Sequence, residues 1–386
     1  MIDPFKLEAL VSWLFAGAPP KADFADTVAE LARRMVGAGL PIATLGVYMI
    51  TINPMVLGTL LSWSPGRGMR RDRWAHAAMA TDVYVGTVPY LALNTGRMVR
   101  LLLGTGNPLE AHPATRALVA RGYSEYITCP LFGKYTPTGG IAVGTKQPSG
   151  FTEDEISAIR RLQAPLARVV EAEILHENTV TLLSTYVGRN AGDKVMDGRI
   201  LRGYSEDITA VVLFADLRNF TALSNALPPE ETIALLNTYF EALDSAIRAN
   251  GGETLKFIGD GLLAIFPTVD EFAAQTSAAM GAISALDDAR TALAISNTTG
   301  PEITFRAALH LGDIHYGNIG SSTRLDFTAV GPAVNLTARL LLACTELGAQ
   351  TVCSDAFAPL ARARCTPARA FAFKGFDTDI MVHTVV

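Results

Sequence analysis

Residues 208–221 read ITAVVLFADLRNFT. The run from Ile208 to Ala215 is too short for a typical helix and rich in valine, so it predicts a buried strand. It stops at an acid, Asp216, and passes into a polar helix start, which puts Asp216 at a strand exit where a side chain can face a cleft. Next comes PPEETIALLNTYFEALDSAIRANGG, with Pro228, Pro229 and acids at its start and Gly251 at its end. This predicts a helix whose apolar face is Ile233, Leu236, Phe240, Leu243 and Ile247. ETLKFIGDGLLAIF then predicts two strands around Gly259, Asp260 and Gly261, a hairpin signal. If that hairpin pairs with the first strand, Asp260 comes to lie beside Asp216.

Two carboxylates brought together without a cation repel, and one must take up a proton. A divalent metal removes the conflict, and hard oxygen ligands suit Mg²⁺ or Mn²⁺, which bind through one or two carboxylates plus substrate phosphates. Taken singly, each acid has an ordinary reading: a helix cap after a strand for one, a turn residue for the other.

Downstream, Glu271 to Ile295 predicts a second long helix, ITFRAALHL a strand, and IHYGNIG with RLDFTAV a hairpin arm joined by Ser321, Ser322 and Thr323. Gly331 and Pro332 open a helix that places Asn335 and Arg339 one turn apart on one face. Such a pair can hydrogen-bond a ribose and clamp a phosphoryl oxygen, although an exposed Asn/Arg pair is more often solvent-facing decoration.

FADLRNFT, LKFIGDGLLAIF and DFTAVGPAVNLTARL, in this order and at this spacing, resemble the class III nucleotidyl cyclases. The resemblance covers Ile208 to the C-terminus. It implies a ferredoxin-like α/β catalytic domain that makes a cyclic nucleotide from the triphosphate. By position, Asp216 and Asp260 are expected to bind two metal ions, Mg²⁺ or Mn²⁺. Lys256 and Thr328 are expected to read the purine, Asn335 to orient the ribose, and Arg339 to stabilise the transition state. Lys374, in FKGF, matches a further phosphate-binding lysine. In this chemistry the ribose 3′-oxygen attacks the α-phosphorus and expels pyrophosphate, one metal activating the hydroxyl and the other steadying the triphosphate. Adenine offers an N6 donor and an N1 acceptor, which suits a lysine and a threonine; guanylate cyclases of the family use Glu and Cys. ATP is therefore the expected substrate, cyclic AMP the expected product, and the Lys/Thr pair resembles the bacterial class IIIb subgroup. The family divides each site between subunits, and one complete set per chain implies a homodimer with two shared sites. A guanylate cyclase and a catalytically inactive cyclase-like sensor are the alternatives.

The 386 residues are enough for two domains with their own cores. A net charge of −5 leaves no basic footprint, so nucleic acid is excluded as the expected partner. The four cysteines show no metal-type spacing and read as reduced thiols, consistent with a cytoplasmic protein. The first residues predict an amphipathic helix rather than a signal peptide. Met35 to Gly66 holds no charged residue, but Asn53 and Pro54 split it into two β-branched runs, so a buried hairpin is expected and not a membrane span.

Between these, Ala22 to Gly39 predicts a helix and GRGMRRDRW a charged loop. YITCPLF, GGIAVGT and GFTEDEI resemble a GAF domain, a sensor or dimerisation module, which implies an unidentified small molecule as a further partner. Thr152 and Glu155 form a capping-box signal for a helix with an apolar stripe through Ile156, Ile159, Leu162, Leu166, Val169 and Ile174. HENT, residues 176–179, is expected to interrupt it, and VGRNAGDKVMDGRILRG to follow as a polar connector. Past HENT the stripe suggests a parallel dimer seam. The expected organisation is a GAF-like domain over 1–175, a helical coupler over 176–207 and a cyclase domain over 208–386, an α+β protein throughout.

Overall fold

The computed structural model describes residues 1–19, 23–81, 84–134, 137–296 and 301–386. The chain divides into two compact units, Met1–Leu182 and Leu183–Val386.

The first unit is built on a six-stranded, fully antiparallel sheet. Its strands are β1 (Thr44–Ile50), β2 (Gly58–Ser64), β3 (Gly68–Trp74), β4 (Val99–Leu102), β5 (Glu125–Phe132) and β6 (Pro137–Thr145), in the order β3-β2-β1-β6-β5-β4. The uncharged stretch around Asn53 forms the expected hairpin, with Tyr48 opposite Leu60. Asn53 shapes its turn by accepting from the backbone N–H groups of Met55 and Val56 at 2.8 and 3.0 Å. No helix among the described residues is long and apolar enough to cross a membrane.

Alternation along β1 separates two cores. Val47 joins one with α1 (Pro4–Phe15), α2 (Phe24–Gly37) and the start of a long helix; Tyr48 faces the other, under the segments that carry α3 (Val88–Thr95) and α4 (Pro113–Ala120). Asp3 caps α1 and Asp23 caps α2; Ala22, expected at the start of α2, lies outside the described residues. A cavity of about 960 Å³ opens on the Tyr48 side, ringed by Tyr48, Trp63, Trp74, Tyr84, Tyr123 and Tyr126.

The long helix α5 (Glu153–Tyr186) starts at the capping box: Thr152 N–H donates to Glu155 at 2.8 Å and Glu155 N–H donates to Thr152 Oγ1 at 3.3 Å. HENT does not break it. The Thr179 hydroxyl folds back onto the Leu175 carbonyl at 2.8 Å, and Asn178 accepts from Ile52 N–H at 2.7 Å, so both polar side chains are satisfied without leaving the helix. Nor is GRGMRRDRW a loop. From Gly68 on it is edge strand β3, where Arg70, Arg71 and Arg73 stay exposed while the backbone pairs with β2.

In the second unit the expected polar connector contains a helix, α6 (Arg189–Met196), seated by its buried Ala191 and Gly192. The sheet comprises β7 (Ser205–Leu217), β8 (Glu253–Ile258), β9 (Gly261–Thr268), β10 (Phe305–Gly320), β11 (Leu325–Val330), β12 (Thr351–Ser354), β13 (Arg369–Phe371) and β14 (Ile380–Thr384). The order is β13-β14-β12-β10-β7-β9-β8, with β11 folded back on β10. Among the described strands of this sheet, only β10 and β12 run parallel. The short α7 (Phe220–Ala226) follows β7 through Asn219, which takes a left-handed φ of 58°.

Helices α8 (Pro229–Ala249) and α9 (Phe272–Ser296) cover the face that carries Val211, Leu213 and Ala215; α10 (Pro332–Leu347) packs on the opposite face, against Ala308. The buried stripe of α8 is Leu235, Tyr239, Leu243, Ala246 and Ile247, while Ile233 is 58% exposed. The expected stripe was thus rotated by about one residue. The two strands expected from ITFRAALHL and IHYGNIG are one strand of 16 residues. Gly312 sits where they were split, and a Cβ there would lie 2.8 Å from Ala333 Cβ, so this glycine lets the start of α10 approach β10 rather than ending the strand.

Candidate active site

The site is assembled from register. Asp216, next to last in β7, is paired with Arg306 of β10 on one side and with Gly261 of β9 on the other. The β8–β9 loop is Gly259–Asp260, with Gly259 at φ 64° as a two-residue hairpin of this kind requires. The hairpin therefore delivers Asp260 to the end of β7, next to Asp216. Burial, then hydrogen bonding and charge from Asp216, hold the Asp260 carboxyl above the ordinary aspartate range. An all-oxygen pair of this kind fits a hard divalent cation. No group of three or more His, Cys, Asp or Glu side chains suited to a metal occurs among the described residues, so further ligands would come from substrate and water.

Two residues at this centre were not singled out from the sequence. Arg306 donates through Nη2 to Asp216 Oδ2 at 2.6 Å and through Nη1 to Thr345 Oγ1 at 2.6 Å, while its Nε is buried without a partner. Tyr239, fully buried on α8, also has an unpartnered hydroxyl, and burial followed by the charges of Asp216 and Asp260 pushes its pKa far up. The tyrosine is a neutral phenol beneath the acid pair. The pattern of α8 could have flagged Tyr239 only if its buried face had been identified correctly; Arg306 becomes visible only with the register.

Lys256 lies on β8, in the same hairpin as Asp260. Its ammonium pairs with Asp326 of β11, and that contact holds the Asp326 carboxyl below the ordinary range. Thr328 is two residues further along β11, on the same face as Asp326. The structure thus brings Lys256 to the strand that carries Thr328, where its partner is Asp326. Asp326 was legible in principle, standing two residues before Thr328 in the quoted DFTAVG.

Asn335 and Arg339 are exposed on α10 and have no side-chain partner among the described residues. No hydrogen bond or ion pair joins either of them to Asp216 or Asp260. Lys374 is exposed in the turn between β13 and β14. The seven expected positions therefore separate within one chain. Asp216 meets Asp260, and Lys256 reaches β11. Asn335 and Arg339 stand unengaged on a helix wall.

Residues 204–364 match the family model described as the adenylate and guanylate cyclase catalytic domain. An adenylate cyclase of Anabaena cylindrica is 32% identical over 131 residues, covering 33% of this chain and 26% of that protein. Adenylate cyclase 1 of Rhizobium meliloti is 28% identical over 200 residues, covering 47% and 28%. The chain thus spans little more than a quarter of the length of these relatives. Among solved structures, the adenylyl cyclase CyaB from P. aeruginosa is 26% identical and covers 47% of this chain and 96% of that one, with a TM-score of 0.40. From Tyr204 to Arg364 the chain is therefore similar to adenylate and guanylate cyclase catalytic domains.

Proposed function

We propose that this domain is an adenylate cyclase, converting ATP to 3′,5′-cyclic AMP and pyrophosphate in a homodimer with two shared sites. The observation that carries the reading is that strand register brings Asp216 and Asp260, two hard oxygen donors, together at one end of β7 within the segment that matches the cyclase family model. Asp216 and Asp260 would hold Mg²⁺ or Mn²⁺, two ions per site; bound there, the metal lowers the pKa of the ribose 3′-hydroxyl and gathers triphosphate charge.

The remaining roles fall to the chain's own side chains. Lys256 donates to adenine N1 and Thr328 accepts from N6, which favours ATP over GTP because guanine reverses both polarities. Asn335 orients the ribose. Arg339 supplies a fixed positive charge where phosphoryl oxygens gather negative charge, a contribution on the order of 10² to 10³ in rate for such a donor. Lys374 is the weakest member, placed only by its short motif. Sharing between subunits is supported by the exposure of Asn335 and Arg339, which have the reach of a helix face and no partner of their own.

The first unit acts as a GAF-like sensor in a cytoplasmic enzyme. Its antiparallel sheet, helices on both faces and aromatic-ringed cavity support small-molecule regulation of the cyclase.

The test is product analysis of the purified chain given ATP or GTP with Mg²⁺ or Mn²⁺, with Asp216→Ala as control. Cyclic AMP from the parent alone is expected. Cyclic GMP as main product would overturn the specificity argument, and no cyclic nucleotide from a verified dimer would overturn the enzymatic one.

A further inference from the structure

The four cysteines, expected as reduced thiols, are not equivalent. Cys129 and Cys344 are buried, and burial pushes both thiols up to about 11. Cys353 and Cys365, twelve positions apart, have their sulfurs in contact at 3.6 Å. Cys353 is fully buried on β12, opposite His383 of β14; Cys365 is partly exposed and bridges Val385 just beyond β14. Both cysteines thus pair through their backbones with the same C-terminal segment, and Cys365 is the partly exposed one.

We propose that Cys353 and Cys365 form an oxidation site on the catalytic unit, closed to a disulfide by a peroxide. Their roles follow from access and charge. The contact with the Cys353 thiol, together with the positive charge of His383 and Arg364, brings Cys365 down to about 7. Cys365 is the thiolate and Cys353 the resolving thiol. The Cys365 thiolate attacks a peroxide oxygen; an S–O bond forms, the O–O bond breaks, and the leaving hydroxide takes up a proton to become water. Cys353 then loses its proton and its sulfur attacks Cys365; the S–S bond forms, the S–O bond breaks, and a second water leaves. Two thiols lose two electrons, and one hydrogen peroxide becomes two waters.

Closing this bond ties β12 to the segment around Cys365 across the chain end. β12 also pairs with β10 through Cys353 and Leu309, three residues from Arg306, so the cross-link sits one strand from the acid pair. The inference does not depend on the proposed reaction, because its readout is chemical.

The experiment treats the native 386-residue chain with hydrogen peroxide, quenches with an alkylating agent, and maps peptides by mass spectrometry with and without dithiothreitol. Accessible thiols in the subsequently denatured protein should fall from four to two, with a Cys353–Cys365 peptide that dithiothreitol releases. Closure should be at least about tenfold faster in the native chain than in urea, where the pair is separated and Cys365 returns toward the usual thiol pKa of about 8.5. In Cys353→Ser, Cys365 should instead advance to sulfinic acid. Stable oxidation of Cys365 alone in the parent, cross-links to Cys129 or Cys344, no reaction at either thiol, or equal rates in urea would each overturn the proposal.

Discussion

Arg306 and Asp216 face each other across β10 and β7, Nη2 to Oδ2 at 2.6 Å, so the acid proposed to bind metal already holds a cation of the chain. This arrangement neutralises one member of a carboxylate pair that would otherwise repel. Both side chains are about a quarter exposed, so the pair is worth less than the 3–5 kcal/mol lost on breaking a fully buried one. About 1–2 kcal/mol is expected. In metal-free protein, Arg306→Ala should therefore lower the melting temperature of this unit by about 2–8 °C, and added Mn²⁺ should restore more stability to the variant than it adds to the parent. Thermal unfolding with and without Mn²⁺ reads this directly, and an unchanged melting temperature would remove Arg306 from the electrostatics of the site.

Asp260 makes a prediction of opposite sign to the usual aspartate. Its folded pKa is raised by burial and by Asp216, so the native state binds the proton more tightly than the unfolded chain. The associated stability is fully present below the unfolded value of about 3.9 and is lost as pH rises through the raised folded value. Without metal, the parent should lose stability relative to Asp260→Asn across that window. Saturating Mn²⁺ at neutral pH should narrow the difference. Parallel stability curves for parent and variant would contradict the raised pKa.

The Lys256–Asp326 pair separates specificity from support. Its members are 38% and 37% exposed, so the ion pair itself is worth under about 1 kcal/mol, and Asp326→Asn should cost less than about fivefold in kcat/KM for ATP. If Lys256 reads the purine as proposed, Lys256→Ala leaves purine groups unpaired and should cost about 10–10³-fold while narrowing the preference for ATP over GTP. Steady-state kinetics with both nucleotides distinguish the two variants. A larger loss in Asp326→Asn than in Lys256→Ala would make the acid, not the lysine, the purine contact.

Local signals carried the acid pair. A β-branched run ending in Asp216 and a glycine-marked hairpin bearing Asp260 each have short-range causes, and pairing of the two strands is the simplest way to bury them. Local signals failed where a choice is made by tertiary contact. Helix α8 offers two apolar stripes about one residue apart, and only packing on the sheet selects the one containing Leu235 and Tyr239. The charges of β3 read as loop because an edge strand keeps its side chains in water while its backbone is paired. Gly312 reads as a strand end, although its role is to admit Ala333 of α10. Arg306 stayed hidden for a different reason: its partner is 90 residues away, and the pairing exists only in the register of β7 and β10.

The most direct test of the shared site mixes two inactive chains. Asp216→Ala removes a proposed metal ligand, Arg339→Ala the proposed transition-state charge, and each alone should form almost no cyclic AMP. If subunits exchange at random, half the dimers carry one of each, and one of the two sites in such a dimer is intact; an equal mixture should recover about a quarter of parental activity. Recovery near that level would place the acids and Arg339 of one site on different subunits. A mixture as inactive as its components, with heterodimers demonstrated, would contradict it.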